Sequence, residues 1–226
     1  MDVIKANGRR EAFDVSKLRA SLINSGASDG DAEKVISHIE AELHEGMSTS
    51  DIYKHAFSYL KEVDLPIAHS YSLRRAIMDL GPTGFPFEKL VAEIYKEKGY
   101  EAVVDQIVMG KCVSHEVDVV AWKGEELIMM EAKYHNELGT KSDLKVILGV
   151  KARWDDLKHG TFDYGERSRK LTRGVLITNT KFSSTAIQYG KCEDLDMIGW
   201  NYPERGNLQE MVEKNPKILQ LIFKTA

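Results

Sequence analysis

Cysteine is scarce in this chain of 226 residues: Cys112 and Cys192 are its only two. They are too few for a zinc cluster and do not read as a disulfide framework, so both are expected to be buried thiols in a reducing, cytoplasmic compartment. Long apolar runs are also missing. None approaches the roughly 20 residues that cross a bilayer. The opening Met1-Asp2-Val3-Ile4-Lys5 lacks a signal-peptide layout, so neither a membrane nor a secreted protein is expected. Bulk positive charge is absent too. With 31 Lys+Arg against 35 Asp+Glu the net charge is −4, which argues against coating nucleic acid by charge alone. What remains, 42% apolar and 29% charged residues, is an ordinary globular composition with room for one large domain or two small ones.

The strongest punctuation is Gly81-Pro82-Thr83-Gly84-Phe85-Pro86, which predicts a division into residues 1–82 and 83–226. The first part carries 10 basic and 13 acidic residues and reads as a hairpin followed by helices. Asn7-Gly8 suits a two-residue turn joining Val3–Ala6 to Arg9–Phe13, which would set Lys5 opposite Arg10. Asp14 is expected to cap a helix containing Leu18 and Leu22 that stops at Gly26. A second helix carries Val35, Ile36, Ile39 and Leu43. A third starts at Ser48-Thr49-Ser50-Asp51, and a fourth runs from about Pro66 to Leu80.

In the second part, Phe87, Leu90, Val91 and Ile94 recur at helical spacing after Pro86. Strand-like runs follow at Val103–Val108, His115–Lys123 and Glu126–Lys133. Then come a helix over about Ser142–Leu157, a strand Val175–Thr178, a helix near Ser183–Gly190 and a strand Leu195–Trp200. This order predicts an α/β fold with a mixed central sheet flanked by helices, α+β overall once the N-terminal helical unit is included. The tail Asn207–Ala226 reads as one helix, and Lys141–Arg173 is locally basic, with 9 cations against 5 acids.

The chemistry concentrates in the middle hairpin. Gly124-Glu125 suits a type II′ turn, which pairs Lys123 with Glu126 and therefore sets Asp118 opposite Glu131 and Glu116 opposite Lys133. Strand side chains alternate, so all four are expected on one face. Opposed Cβ atoms lie about 4.5–5.5 Å apart, and like charges so placed repel. A hard divalent cation offsets that repulsion, with Lys133 beside it to act on water or phosphate. Glu88, at the flank of the first helix's apolar stripe, is a candidate fourth member. The competing reading is a wet sheet face with Glu116–Lys133 an ordinary ion pair. Leu127 and Met129 on the same face point to a covered one. Likewise, Lys5, Arg10, Arg9 and Lys17 read either as phosphate ligands or as exposed charge on a wet hairpin.

Two resemblances sharpen these alternatives. Phe87-Glu88-Lys89-Leu90-Val91-Ala92, Gly99-Tyr100, His115-Glu116-Val117-Asp118-Val119-Val120-Ala121, Glu131-Ala132-Lys133, Gly174-Val175-Leu176-Ile177-Thr178-Asn179, Phe182-Ser183 and Ala186 resemble the PD-(D/E)xK nucleases, closest to the Mrr-like restriction endonuclease domains. The resemblance, over roughly Phe85 to Tyr202, implies Mg²⁺- or Mn²⁺-dependent DNA cleavage. Asp118 and Glu131 would be metal ligands, Lys133 the catalytic lysine and Glu88 the helix acid. Family members often have glycine where this chain has Ser114-His115-Glu116, which leaves His115 and Glu116 as extra site residues or as the rim of the sheet. Where the family often has glutamine, the following helix offers Lys145, Lys151 and Arg153.

Residues 2–80 resemble an ATP-cone. The matching stretches are Val3 to Phe13, Ser16-Lys17-Leu18, Gly46-Met47-Ser48-Thr49-Ser50-Asp51-Ile52-Tyr53 and Tyr71-Ser72-Leu73-Arg74-Arg75-Ala76-Ile77. That resemblance implies an ATP or dATP pocket lined by Val3, Lys5, Glu11, Lys17 and Thr49, with Arg74 a further phosphate candidate. It also implies a switch in homo-oligomer contacts. No G-x-x-x-x-G-K-[ST] loop is present, so nucleotide is expected to be sensed rather than hydrolysed. The pairing implies a nucleotide-regulated DNA endonuclease of restriction type. The alternative is a nucleotide-sensing DNA-binding regulator with a non-cleaving core.

Overall fold

A computed structural model describes residues 1–5, 8–78, 80–81, 84–136 and 140–225, with side chains to 222. The chain divides into two compact units, Met1–Ala76 and Ile77–Ala226. Among the described residues no helix is long and apolar enough to cross a membrane.

The first unit opens with strands β1 (Asp2–Ile4) and β2 (Arg10–Ala12), followed by helices α1 (Val15–Asn24), α2 (Asp29–Glu42), α3 (Thr49–Val63) and α4 (Leu65–Met78), the last ending just inside the second unit. Asp14, Ser28 and Ser48 cap α1, α2 and α3, each accepting a backbone N–H of the first turn. Such caps contribute about 1 kcal/mol each. Leu18, Leu22, Val35, Ile36, Ile39, Ile52, Ala56 and Leu60 form the core predicted by their spacing.

The hairpin register differs from expectation. Ile4, not Lys5, faces Arg10, and Val3 faces Glu11. Lys5 N–H donates to Arg9 O and Gly8 N–H to Lys5 O, so three residues, not two, lie between the paired ends. Gly8 takes φ 78°, which a side-chain-bearing residue resists, and the extra residue shifts every pair by one. Asn7 lies outside the described residues.

The second unit contains α5 (Phe85–Glu97), β3 (Glu101–Met109), β4 (Ser114–Lys123), β5 (Glu126–Lys133), β6 (Lys141–Ser142), α6 (Leu144–Leu157), β7 (Thr161–Tyr164), β8 (Arg167–Lys170), β9 (Arg173–Thr178), β10 (Lys181–Phe182), α7 (Ser184–Cys192), β11 (Asp196–Ile198), α8 (Leu208–Glu213) and α9 (Pro216–Thr225). The central sheet has the order β11-β9-β5-β4-β3, antiparallel through β3, β4 and β5 and parallel from β5 to β9 to β11. It is the expected mixed sheet. On one face Val120, Trp122, Leu127, Met129 and Leu176 pack against Ile147, Val150, Trp154 and Leu157 of α6. α5, with Phe87, Leu90, Val91 and Ile94 buried, contacts β3, β4 and β5.

Three expectations change. The tail is two helices, because Pro216 has no N–H to continue a helix and disfavours a helical Asn215. Asn215 instead caps α9, its Oδ1 accepting Lys217 N–H at 3.1 Å. Cys112 and Cys192 are exposed, because Cys112 sits in the β3–β4 turn and Cys192 at the end of α7. The locally basic stretch contains a hairpin, β7–β8, whose Gly165 (φ 63°) lies just after Tyr164, which pairs with Arg167. Arg169 is 7% exposed and donates to Gly124 O at 2.7 Å, so part of that positive charge is structural.

Candidate active site

The β4–β5 hairpin has the predicted register, Lys123 opposite Glu126 and Val119 opposite Met130, with Gly124 at φ 58°. The ladder then stops. Beyond it, Asp118 Oδ2 accepts the backbone N–H of Ala132 at 2.7 Å, so a carboxylate substitutes for a strand partner between Glu131 and Lys133. That one bond fixes Asp118 beside the Glu-x-Lys segment. Glu131 is 12% exposed at its side chain. Lys133 Nζ lies 3.9 Å from Glu131 Oε1, and Arg153 of α6 contacts Glu131 Oε2 through Nη1.

Strand β4 does not alternate regularly through this region. His115 reaches Asp156 of α6 and Val117 packs in the α6 cluster, yet Val120 and Trp122 pack there as well. Alternation slips by one residue around Asp118. Across from it on β3, Asp105 lies between the pairs Val104–Val119 and Gln106–Val117 and takes φ 56°. Left-handed backbone inside a strand is costly for a residue with a side chain, and such strain gathers at functional sites. The consequence for Glu116 is a correction. It turns away from the α6 face that holds Glu131, so the four side chains do not share one face, and Lys133 pairs with Glu131 rather than Glu116. His115 is a tie to α6: its Nε2 lies 2.7 Å from Asp156 Oδ2. Hydrogen bonds from His115 and then from the Cys112 side chain hold Asp156 down at about 2.

The acids feel one another. Burial, and then the charge of Glu131, pushes Asp118 up to about 6. Burial, and then the charges of Asp118, Asp105, Glu116 and Glu131, pushes Glu88 up to about 7. Glu88 stands on α5, and its carboxyl feels the charge of these acids. Asp105 is the member that the sequence reading missed, and its signal was a lone carboxylate inside the strand run Val103-Val104-Asp105-Gln106-Ile107. Among the described residues no three His, Cys, Asp or Glu side chains already form a metal cage. Asp118 and Glu131 supply two hard oxygen donors, which fits Mg²⁺, an ion that commonly completes its shell with waters and substrate phosphate.

A polar clamp holds the exit of β5. Buried Asn179 accepts His135 N–H and donates to His135 O, both at 2.8 Å, while Thr178 Oγ1 donates to Lys133 O at 2.7 Å. Tyr134 OH donates to Met78 O at 2.6 Å.

In the first unit, Glu11 bridges Lys5 and Lys17, each at 2.9 Å. Hydrogen bonds from Lys17 and Lys5 lower its pKa. Val3 pairs with Glu11, and Ser48, one residue before Thr49, bridges Ile4, so Val3, Lys5, Glu11, Lys17 and Thr49 gather about the hairpin. Arg74 is placed in the interior of α4, where loss of water lowers it to about 10.

A mixed five-stranded sheet flanked by helices, with carboxylates and a lysine where β4 and β5 part, is the architecture of the restriction-endonuclease-like α/β proteins. Residues 82–199 match the restriction endonuclease family model Mrr_cat and residues 1–80 match the ATP cone domain, so the chain belongs to the Mrr_cat restriction endonuclease family and carries an ATP cone domain before its nuclease-like core. An uncharacterized protein of Archaeoglobus fulgidus is 36% identical over 124 residues, 54% of this chain and 65% of the relative. The chain thus spans slightly under two thirds of that curated relative. The crystal structure of AF1548, a protein of unknown function, is 30% identical with a TM-score of 0.51, over 63% of this chain and 78% of that one. A more distant likeness, at 14% identity and a TM-score of 0.41 over 71% of this chain and 36% of that one, is to the MspJI restriction endonuclease in complex with a 27-mer oligonucleotide.

Proposed function

We propose that this chain is a divalent-metal-dependent DNA endonuclease of restriction type whose activity or assembly responds to ATP or dATP. The observation that carries the reading is Asp118 fastened to Ala132 N–H between Glu131 and Lys133, with Asp118 and Glu88 both held well above the usual carboxylate range. Asp118 and Glu131 would hold a Mg²⁺ or Mn²⁺ ion, whose chemistry there is to polarise a phosphoryl oxygen and acidify an attacking water. Lys133, 3.9 Å from Glu131, orients that water or neutralises charge developing on the phosphate. Glu88 at about 7 is poised to exchange a proton near neutral pH. Thr178 and Asn179 hold the backbone on either side of Tyr134, which keeps Lys133 in place.

Residues 1–82 serve as the nucleotide-sensing part and 83–226 as the nuclease part. Lys5 and Lys17 meet the phosphates, with Glu11 holding both amines in position, and Val3, Thr49 and Arg74 complete the pocket. Nucleotide is sensed through homo-oligomer contacts in a cytoplasmic enzyme. One observation favours a second reading, a nucleotide-sensing DNA-binding regulator that does not cut: Arg153 already neutralises Glu131. Plasmid DNA incubated with Mg²⁺ or Mn²⁺, with and without ATP and dATP, separates the two. Cutting by the wild-type chain that is lost in Glu131→Ala supports the enzyme. Binding without cutting under every condition supports the regulator.

A further inference from the structure

Of the three basic residues that α6 offers, one reaches the acid group. Lys151 is committed to Asp155 and to Glu193, the latter at 3.5 Å, and Lys145 is exposed. Arg153 contacts Glu131 Oε2, and at 26% side-chain exposure it keeps an open route to solvent. Glu131 therefore has a cation on each oxygen, Arg153 on one and Lys133 on the other. A metal ion and the guanidinium compete for the same carboxylate, since both need its lone pairs and repel each other.

Arg153 cannot leave the neighbourhood when released. It sits in the α-helix that packs on the sheet, beside the buried Trp154, so a rotamer change keeps it within side-chain reach of the same spot. The planar fork of the guanidinium matches phosphate oxygens as well as it matches a carboxylate. A backbone phosphate drawn to Asp118, Glu131 and Lys133 enters that reach.

We propose that Arg153 is an exchangeable counter-ion. It neutralises Glu131 in the DNA-free chain and transfers to a DNA phosphate on binding, so that DNA opens Glu131 to the metal and the two ligands bind cooperatively. The exchange rests on Glu131 being a metal ligand. It makes Arg153 a substrate-contacting residue and assigns its contact with Glu131 to the resting state. By linkage, DNA must tighten metal binding by the same factor as metal tightens DNA binding.

The test measures Mn²⁺ binding to the full chain by titration calorimetry, with and without a phosphorothioate duplex, for wild type, Glu131→Gln, Arg153→Gln and Arg153→Lys. Without DNA, Arg153→Gln is expected to bind Mn²⁺ roughly three- to tenfold more tightly than wild type, because a competing charge has gone. DNA affinity, read by fluorescence anisotropy in EDTA, is expected to fall in the same variant, with a log–log salt slope shallower by about 1. The DNA-dependent gain in Mn²⁺ affinity disappears with it. Arg153→Lys keeps the charge and the salt slope, so it reads the exchange if the glutamine variant folds poorly. Unchanged or weaker Mn²⁺ binding in Arg153→Gln, or an unchanged salt slope, overturns the exchange. Wild-type Mn²⁺ binding that Glu131→Gln does not diminish is a separate result, which removes the metal site itself and the exchange along with it.

Discussion

The two units handle a carboxylate in opposite ways. In the first, Glu11 is shared by Lys5 and Lys17 at 2.9 Å, and those amines pull its pKa down. In the second, Asp118 and Glu88 lie among further acids and burial, which push them up to about 6 and about 7. One cluster has cations to spare for an anion, and the other has acids to spare for a cation. Each unit also has its own apolar cluster. The difference is the electrostatic basis for proposing nucleotide phosphate as the ligand of one unit and a divalent metal as that of the other.

The largest expected effect tests the acidic side. Glu131→Ala and Lys133→Ala should each lower DNA cleavage by at least about a hundredfold, measured as supercoiled plasmid lost per unit time, while leaving ATP affinity unchanged. If either variant cuts normally, the acid group is a structural one. Next is the clamp behind it. Asn179→Ala leaves the part-buried His135 N–H without its acceptor, and urea unfolding should show a loss of about 1–3 kcal/mol. A smaller loss would mean that water replaces the amide there.

The basic side should respond more modestly and independently. Lys17→Ala or Lys5→Ala is expected to weaken ATP binding about tenfold, the worth of one charge-assisted hydrogen bond, by calorimetry, with Mn²⁺ binding unaffected. Loss of Mn²⁺ binding in these variants would break the contrast between the units.

The smallest effect is the pH dependence of stability. Asp118 and Glu88 have folded pKa values above their ordinary 3.8 and 4.5, so the folded chain retains protons that the unfolded chain releases. Their contribution is fully present below about pH 4 and is lost as pH rises through 6 to 7. Glu11 runs the other way: its contribution is present above pH 4.5 and is lost in acid, and exposure keeps it small. Melting temperatures between pH 4 and 8 should therefore fall faster with pH in the wild type than in an Asp118→Asn, Glu88→Gln variant. Saturating Mn²⁺ should remove that difference. Parallel curves without metal would contradict the acid coupling.

Much of this was legible in the residues because the signals were local. The Gly124-Glu125 turn set the β4–β5 register correctly, and that register placed Asp118 against the Glu-x-Lys segment. Caps at Asp14 and Ser48 marked helix starts as expected. What escaped was non-local or depended on a single residue of count. A third residue in the β1–β2 connection set Lys5 beside Arg9 instead of Arg10, and its amine pairs with Glu11 at 2.9 Å. The slip in β4 at Asp118, matched by Asp105 at φ 56°, turned Glu116 away from the shared face. Strict alternation cannot foresee a slip that only the opposing strand reveals. Arg153 was visible as a basic residue on a helix, but its partner, 22 positions away, depends on how that helix lies across the sheet.

The most direct test of the metal assignment is an anomalous difference map from a crystal soaked in Mn²⁺. A peak within about 2.0–2.3 Å of one Asp118 oxygen and one Glu131 oxygen, absent in Glu131→Ala crystals, is the predicted result. A crystal with intact lattice and saturating Mn²⁺ that shows no peak between those two side chains would contradict it.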